Sequence, residues 1–404
     1  MSSLLVHDIS TLLTMDTAQG VGGLGERTDA ALVVEDGRVA WIGDTASAPS
    51  CDVRHSAAGM VVMPGLVDCH THLAWAGSRA DEFRARLNGE NYTDILKRGG
   101  GILSTVRATR EASAPDLTDL VEARLRAALG RGVTTLEVKS GYGLSAEHEL
   151  KQLRAAKAAA ARVGVRIFTT FLGAHTVPAE FRADRPAYVD DVINNQLPAV
   201  LNDADFIDAY VDDGAFTVAE GRRILSAGAS LGLGVRVHAE QVTKTGAARM
   251  AASLGALSAD HLERIDAEDA AALAAAGTVA VLLPGAMLYL GDAPPPVPVL
   301  RSAGVRIAVA TDTNPGSSPF PDLWAAATLA VLTMGLTVEE ALLGITANAA
   351  TALGRPDLGR IQVGCPADIL LVRPPAGEPP GAGQLVQHFG APSLALTLIG
   401  GASF

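Results

Sequence analysis

The pattern of apolar and polar positions along this chain changes character twice. Through about residue 63 it is β-like, and residues 31–43 form two short apolar runs joined by Asp36-Gly37, a strong signal for a tight hairpin. From about residue 64 short β-branched runs alternate with long Ala/Leu/Arg-rich stretches of helical period. Helices are predicted over 121–129, 147–162, 221–231 and 266–276. Strands are predicted over 133–138, 165–171, 234–238 and 278–283, several of them preceded by a glycine that stops the helix (Gly130, Gly164, Gly277). Helix, stop and strand repeated over this length predict parallel strands in a (β/α)8 barrel. Beyond about residue 355 the pattern is extended again. Residues 359–372 read as turn, strand, turn, strand, and the Pro/Gly-rich stretch 374–383 as a surface loop. The expected architecture is therefore α/β: a barrel over 64–354, beside a small β-sandwich domain built from both chain ends, 1–63 and 355–404.

Composition narrows the picture. The chain has 404 residues, 48% of them apolar and 19% charged, which suits a large buried core. A net charge of −12 without any Lys/Arg block argues against a nucleic-acid partner. The cysteines Cys51, Cys69 and Cys365 are few and widely spaced, so a disulfide framework is not expected and a reducing cytoplasm is. The first residues lack the basic head and apolar core of a secretion signal. The apolar runs near 278–290 and 323–336 are too short or too broken to span a bilayer, so no membrane partner is expected. They read as a buried strand with its loop and a buried helix.

The chemistry concentrates where strands end. Pro64-Gly65-Leu66-Val67-Asp68-Cys69-His70-Thr71-His72 closes an apolar run with two histidines spaced i, i+2. On a strand such residues share a face about 7 Å apart and can converge on one cation. His175, His238 and His261 each end another apolar run, and Asp312 ends the run 305–311. In a barrel all these ends meet on one rim. His70, His72, His238 and Asp312 together suit Zn2+ or iron, and an ion so held would acidify water toward pKa ~7. His7, His55, His148 and His388 lack this placement.

The wider motif set is more specific. Asp68-Cys69-His70-Thr71-His72-Leu73, Gly77-Ser78-Arg79-Ala80-Asp81-Glu82-Phe83, Gly99-Gly100-Gly101-Ile102-Leu103-Ser104-Thr105-Val106, Lys139-Ser140-Gly141-Tyr142-Gly143, Leu172-Gly173-Ala174-His175, Ser258-Ala259-Asp260-His261-Leu262-Glu263 and Ala310-Thr311-Asp312-Thr313-Asn314-Pro315-Gly316 resemble the imidazolonepropionase family of the amidohydrolase superfamily. The resemblance spans nearly the whole chain. It implies one Zn2+ or iron ion per subunit on His70, His72, His238 and Asp312. It implies substrate contacts from Arg79, Tyr142, His175, Gln241, Asn314, Gly316 and Ser317, the last standing where the family has threonine. The activity it implies is hydrolysis of the ring C–N bond of 4-imidazolone-5-propanoate to N-formimidoyl-L-glutamate, a step of histidine degradation. The substrate would be a small anion, whose carboxylate Arg79 can grip through two parallel hydrogen bonds. Catalytic roles are expected of Glu240 as proton carrier, His261 at the oxyanion and Asp312. Gly99-Gly100-Gly101 reads as a tight rim loop, and Lys139 as a structural or polar support. The family also suggests a homodimer. The alternative is another amidohydrolase-superfamily deaminase or cyclic amide hydrolase, although a neutral nucleobase gives no reason for the arginine.

Overall fold

The computed structural model describes residues 3–90 and 100–404, so Gly99 of the glycine triplet lies outside the described residues. Eight parallel strands form one sheet in sequential order. We label them β1 Leu66–Asp68, β2 Val133–Lys139, β3 Arg166–Ala174, β4 Phe206–Val211, β5 Gly234–Ala239, β6 Ser258–His261, β7 Val279–Leu282 and β8 Ile307–Val309. The first and last strands meet just beyond their C-terminal ends. There Asp312 N donates to the His70 carbonyl (3.0 Å), His72 N donates to the Thr313 carbonyl (3.0 Å), and Thr71 and Thr313 form a parallel bridge. These bonds close the barrel at the rim where (β/α)8 enzymes carry their chemistry, and they tie the two metal-ligand candidates that follow β1 to the carboxylate that follows β8.

The helices form where the periodicity places them. Ala146–Val163 ends at Gly164 and Ala267–Ala276 at Gly277, both in the left-handed conformation a glycine adopts freely (φ +78° and +72°). Ala114–Leu129 is capped by Ser113, whose side chain accepts from Asp116 N. Its buried stripe Val121, Leu125 and Leu129 packs into the main core.

Both chain ends contribute to a second layer of two sheets. One sheet runs Arg38–Asp44, Ala30–Glu35, Leu4–Ile9, Val53–Ser56. The other runs Ala402–Ser403, Ser393–Ile399, Ile369–Arg373, Val61–Pro64, Thr11–Leu13, Glu26–Arg27. Val6, Ile9, Leu32 and Val62 from the N-terminal segment share one core cluster with Ile369, Leu371 and Leu398 from the C-terminal one. The Asp36-Gly37 turn has positive φ at both residues (+49° and +77°), as a two-residue hairpin requires. Gly65 is the hinge between the layers: Val61–Pro64 pairs with Ile369–Arg373, while Leu66 already belongs to the barrel. A Cβ on Gly65 would lie 2.2 Å from Thr134 Oγ1.

Two local expectations are corrected. Residues 360–363 form no strand, because their neighbourhood spends its backbone bonds singly: Ile361 N donates to Thr14 and Gly364 N to Val39, so no ladder develops. The run 278–290 is a strand followed by the helix Pro284–Leu290 rather than a loop, since Pro284 suits a first helical turn. His70 and His72 follow β1, which ends at Asp68, and so stand at the strand's C-terminal end as expected. Among the described residues no helix is long and apolar enough to cross a membrane.

Candidate active site

His70, His72 and Asp312 gather at the closure of the barrel. His70 Nε2 and His72 Nε2 stand 3.5 and 3.4 Å from Asp312 Oδ1. The rings of His70 and His238 are 4.6 Å apart, and those of His238 and His261 5.4 Å. Two buried ligand-competent trios result, His70/His72/Asp312 and His70/His238/His261, sharing His70. His70, His72, His238 and Asp312, the expected ligand set, thus lie in one cluster, with His261 beside them.

Electrostatics prepares this cluster for a cation. Burial lowers the pKa of His72, against the pull of Asp312. Burial also pushes His238 down to about 3, and lowers His175 well below its usual range with help from His72 and His238. These imidazoles stay neutral and can donate a lone pair. Burial and Lys139 act the same way on His70, but Asp260 and Asp312 outweigh them and raise it to about 9. Burial would raise Asp312, yet the facing imidazoles of His70 and His72 hold its carboxyl well below the usual carboxylate range. An anionic field that holds a proton on a buried imidazole attracts any cation that replaces it. His70 Nε2 is buried without a hydrogen-bond partner, while its Nδ1 lies 2.6 Å from Asp260 Oδ2. One ring nitrogen anchored by a carboxylate and the other left bare is the arrangement of a metal-ligating histidine. The donor set therefore fits a metal ion.

Backbone strain marks the same rim. Glu240, His261, Leu262 and Asp312 have φ of +54°, +80°, +73° and +52°, unusual for residues with side chains. These turns at the ends of β5, β6 and β8 decide which side chains enter the site.

A cavity of about 490 Å3 opens above the cluster. Of the expected contacts, Arg79, Tyr142, His175, Gln241, Asn314, Gly316 and Ser317 all line it, together with His72, His238, His261 and Asp312. His175 stacks on His72 (5.2 Å, 20° between planes) and lies through Nδ1 3.0 Å from the Gly141 carbonyl. Asn314 shapes the turn beneath the cavity: its Oδ1 accepts from Gly316 N and Ser317 N (both 2.8 Å), and its Nδ2 donates to the Asp312 carbonyl (2.8 Å). Arg79 is held by Glu82, which accepts from its Nε (2.9 Å) and Nη2 (2.8 Å). Its other edge rests on Gly316, where a Cβ would come within 2.1 Å of Nη1.

Glu240 is the exception. Its carboxylate accepts from Thr245 N (2.7 Å), Gly246 N (2.9 Å) and Ala248 N (3.1 Å), capping the start of the helix Ala247–Ser253. It does not line the cavity, where the next residue, Gln241, does. The left-handed turn at Glu240 directs successive side chains differently from a continuing strand, so the expected proton carrier is placed as a helix anchor.

The sequence reading missed the layer beneath the cluster. Glu137, Asp208, Arg236 and Asp260 are fully or almost fully buried inside the barrel. Each is a charge within an apolar strand run, and that was the available signal, since buried charges persist only when paired. Lys139 joins this layer, held by Glu137 (2.6 Å) and Asp208 (2.8 Å). Arg86, Tyr210 and Asp213 are further cavity residues.

Comparison with known proteins points to one family. Residues 61–401 match the family model described as the amidohydrolase family. The chain is 49% identical to an imidazolonepropionase of Cupriavidus necator over 352 residues, covering 85% of this chain and 84% of that one. It is 46% identical to an imidazolonepropionase of Idiomarina loihiensis over 355 residues, covering 86% and 87%. Among solved structures, an adenosine deaminase from Xanthomonas campestris with bound zinc superimposes at a TM-score of 0.72 with 19% identity, covering 99% of this chain and 92% of that one. An atrazine chlorohydrolase from Arthrobacter aurescens complexed with zinc does so at 0.72 with 18% identity, covering 99% and 94%. At such identities these two structures speak for the fold alone.

Proposed function

Because the chain belongs to the imidazolonepropionase family of amidohydrolases, we propose that its cavity hydrolyses the ring C–N bond of 4-imidazolone-5-propanoate to N-formimidoyl-L-glutamate. One observation carries the reading: the same cavity holds a cation-ready His/Asp cluster at its floor and the Arg79 guanidinium, seated on Gly316, in its wall. The cluster suits water activation at a carbonyl, and the guanidinium suits the propionate.

In this reading His70, His72, His238 and Asp312 hold one ion per subunit, zinc or iron. Bound there, a divalent ion supplies Lewis-acid chemistry, acidifying water and polarising a carbonyl. Arg79 grips the substrate carboxylate and fixes the ring over the cluster. Tyr142, His175 and Gln241 wall the ring in, and Asn314 with Gly316 and Ser317 shapes the turn that carries Arg79's seat. Asp312 accepts the water proton at its carboxylate and returns it to the departing ring nitrogen. His261 donates to the oxygen that gains charge as the carbonyl becomes tetrahedral. Glu240 takes no proton and holds the rim through its three amides. The water oxygen ends in the new carboxylate, and the ring nitrogen keeps the formimidoyl carbon.

The test is a direct assay of purified protein on 4-imidazolone-5-propanoate, before and after chelation and after adding back zinc or ferrous iron. The expected outcome is turnover that chelation abolishes and one of the two ions restores, with about one ion per chain by elemental analysis. Full activity in metal-free protein, or no turnover of this substrate by metal-replete protein, refutes the proposal.

A further inference from the structure

The charged layer beneath the cluster is buried chemistry that the mechanism does not use. Glu137 and Lys139 sit two apart on β2 and so point together into the barrel. Lys139 Nζ lies 2.6 Å from Glu137 Oε1, 2.8 Å from Asp208 Oδ2 and 3.8 Å from Asp260 Oδ2, all without solvent exposure. Two of these carboxylates hold the ligand histidines. Asp260 Oδ2 stands 2.6 Å from His70 Nδ1. Asp208 Oδ1 accepts from His238 N (3.2 Å), and its Oδ2 lies 3.0 Å from the ring Nδ1 of the same residue. Arg236 approaches Asp260 Oδ2 from the other side (3.3 Å) while its guanidinium also donates to the Cys69 and Ala352 carbonyls.

From this geometry we propose that Lys139 is a positioning residue for the metal ligands. Its ammonium ties the two carboxylates that grip His70 and His238, and so sets how those imidazoles meet a cation. Each carboxylate has a ligand histidine on one side and a buried cation on the other. Without Lys139, Asp208 loses the buried ammonium that lies 2.8 Å from its Oδ2. An uncompensated carboxylate in the dry interior turns toward whatever donor it can reach. That turn withdraws the support that orients His238 and makes it a good ligand. Arg236 does not substitute for Lys139, because its Nη1 and Nη2 donate to Asp260 and two carbonyls and its Nε faces Glu137 (3.5 Å) rather than Asp208.

The inference rests on the metal-centre reading but not on the substrate, so its test reads metal retention rather than turnover. Zinc-loaded wild-type protein and the Lys139→Met variant are titrated with a competing chelator, and both are melted in metal-free form. Loss of such outer support costs about 10- to 100-fold in metal affinity. Lys139→Met is therefore expected to release zinc at correspondingly lower chelator strength. A variant that melts earlier but holds zinc as tightly as wild type shows a lysine that only supports the fold, and overturns the proposal. If Lys139→Met does not fold, Asp208→Asn decides by the same titration: it keeps the side-chain volume but loses the charge that Lys139 anchors. Unchanged zinc retention there also overturns the proposal. A failure of the metal-centre reading itself is distinguishable, because wild-type protein would then retain no zinc.

Discussion

Gly316→Ala isolates the seat of Arg79. A methyl group at residue 316 would lie 2.1 Å from Arg79 Nη1 and 2.9 Å from Cζ, where carbon contacts settle near 3.5–4.0 Å. The guanidinium must therefore move by about 1 Å or more. It does not move freely, because Glu82 holds its Nε and Nη2 and is itself fixed by Gly101 N (3.0 Å) and Ser104 Oγ (3.1 Å). The obstructing atoms are the tip of a flexible side chain, so the fold should lose little. The substrate carboxylate should lose a charge-assisted hydrogen bond, worth about 1.5–3 kcal/mol. That corresponds to a rise in KM of roughly ten- to hundredfold, with kcat falling less because the His/Asp cluster is untouched. Steady-state kinetics, a thermal melt and metal analysis on one preparation separate these effects. Arg79→Lys is the control: it keeps the charge, loses the planar fork, and should raise KM similarly. A Gly316→Ala enzyme with wild-type KM would refute the assignment of Arg79 to the carboxylate.

Glu240→Gln replaces one oxygen of a triple amide acceptor by a donor, at about 1–3 kcal/mol for the buried mismatch. A lower melting temperature with kcat within about tenfold of wild type is expected, and turnover lost by orders of magnitude at unchanged stability would make Glu240 the proton carrier after all. Burial raises the Asp68 carboxyl to about 7 against its hydrogen bonds from Thr311, so the folded protein favours its neutral form. The unfolded carboxyl ionises near 3.9, so this stability is complete below about pH 4 and is lost as pH rises through 7. Asp68→Asn has no such titration, so urea melts should show wild type losing ground to the variant between pH 4 and 7, and parallel profiles would refute this. Gly65→Ala drives a methyl into the short, branched side chain of Thr134, which has no flexible end to move. A loss of about 1–3 kcal/mol is expected in chemical denaturation, partly relieved by Thr134→Ala, and an unaffected midpoint would show that the hinge has slack.

Much of this molecule is decided locally, and local physics is legible in a sequence. Helical periodicity broken by Gly164 and Gly277 predicts the βα rhythm, because only glycine takes the left-handed turn at no cost. Asp36-Gly37 predicts its hairpin for the same reason. Parallel strands in a barrel bring all their C-terminal ends to one rim, so His70, His72, His238 and Asp312 could be grouped without coordinates. Other features depend on where a backbone turns in space. Glu240 and Gln241 are neighbours in sequence, and only the left-handed turn at φ +54° decides that the first caps a helix and the second enters the cavity. Residues 360–363 have a strand's composition, but their neighbourhood bonds singly, Ile361 N to Thr14 and Gly364 N to Val39, so they remain irregular. The pairing of Lys139 with Asp208, and of Arg236 with Asp260, joins residues on different strands. Which buried charges meet inside a barrel depends on strand register and packing, and no local pattern along the chain encodes that.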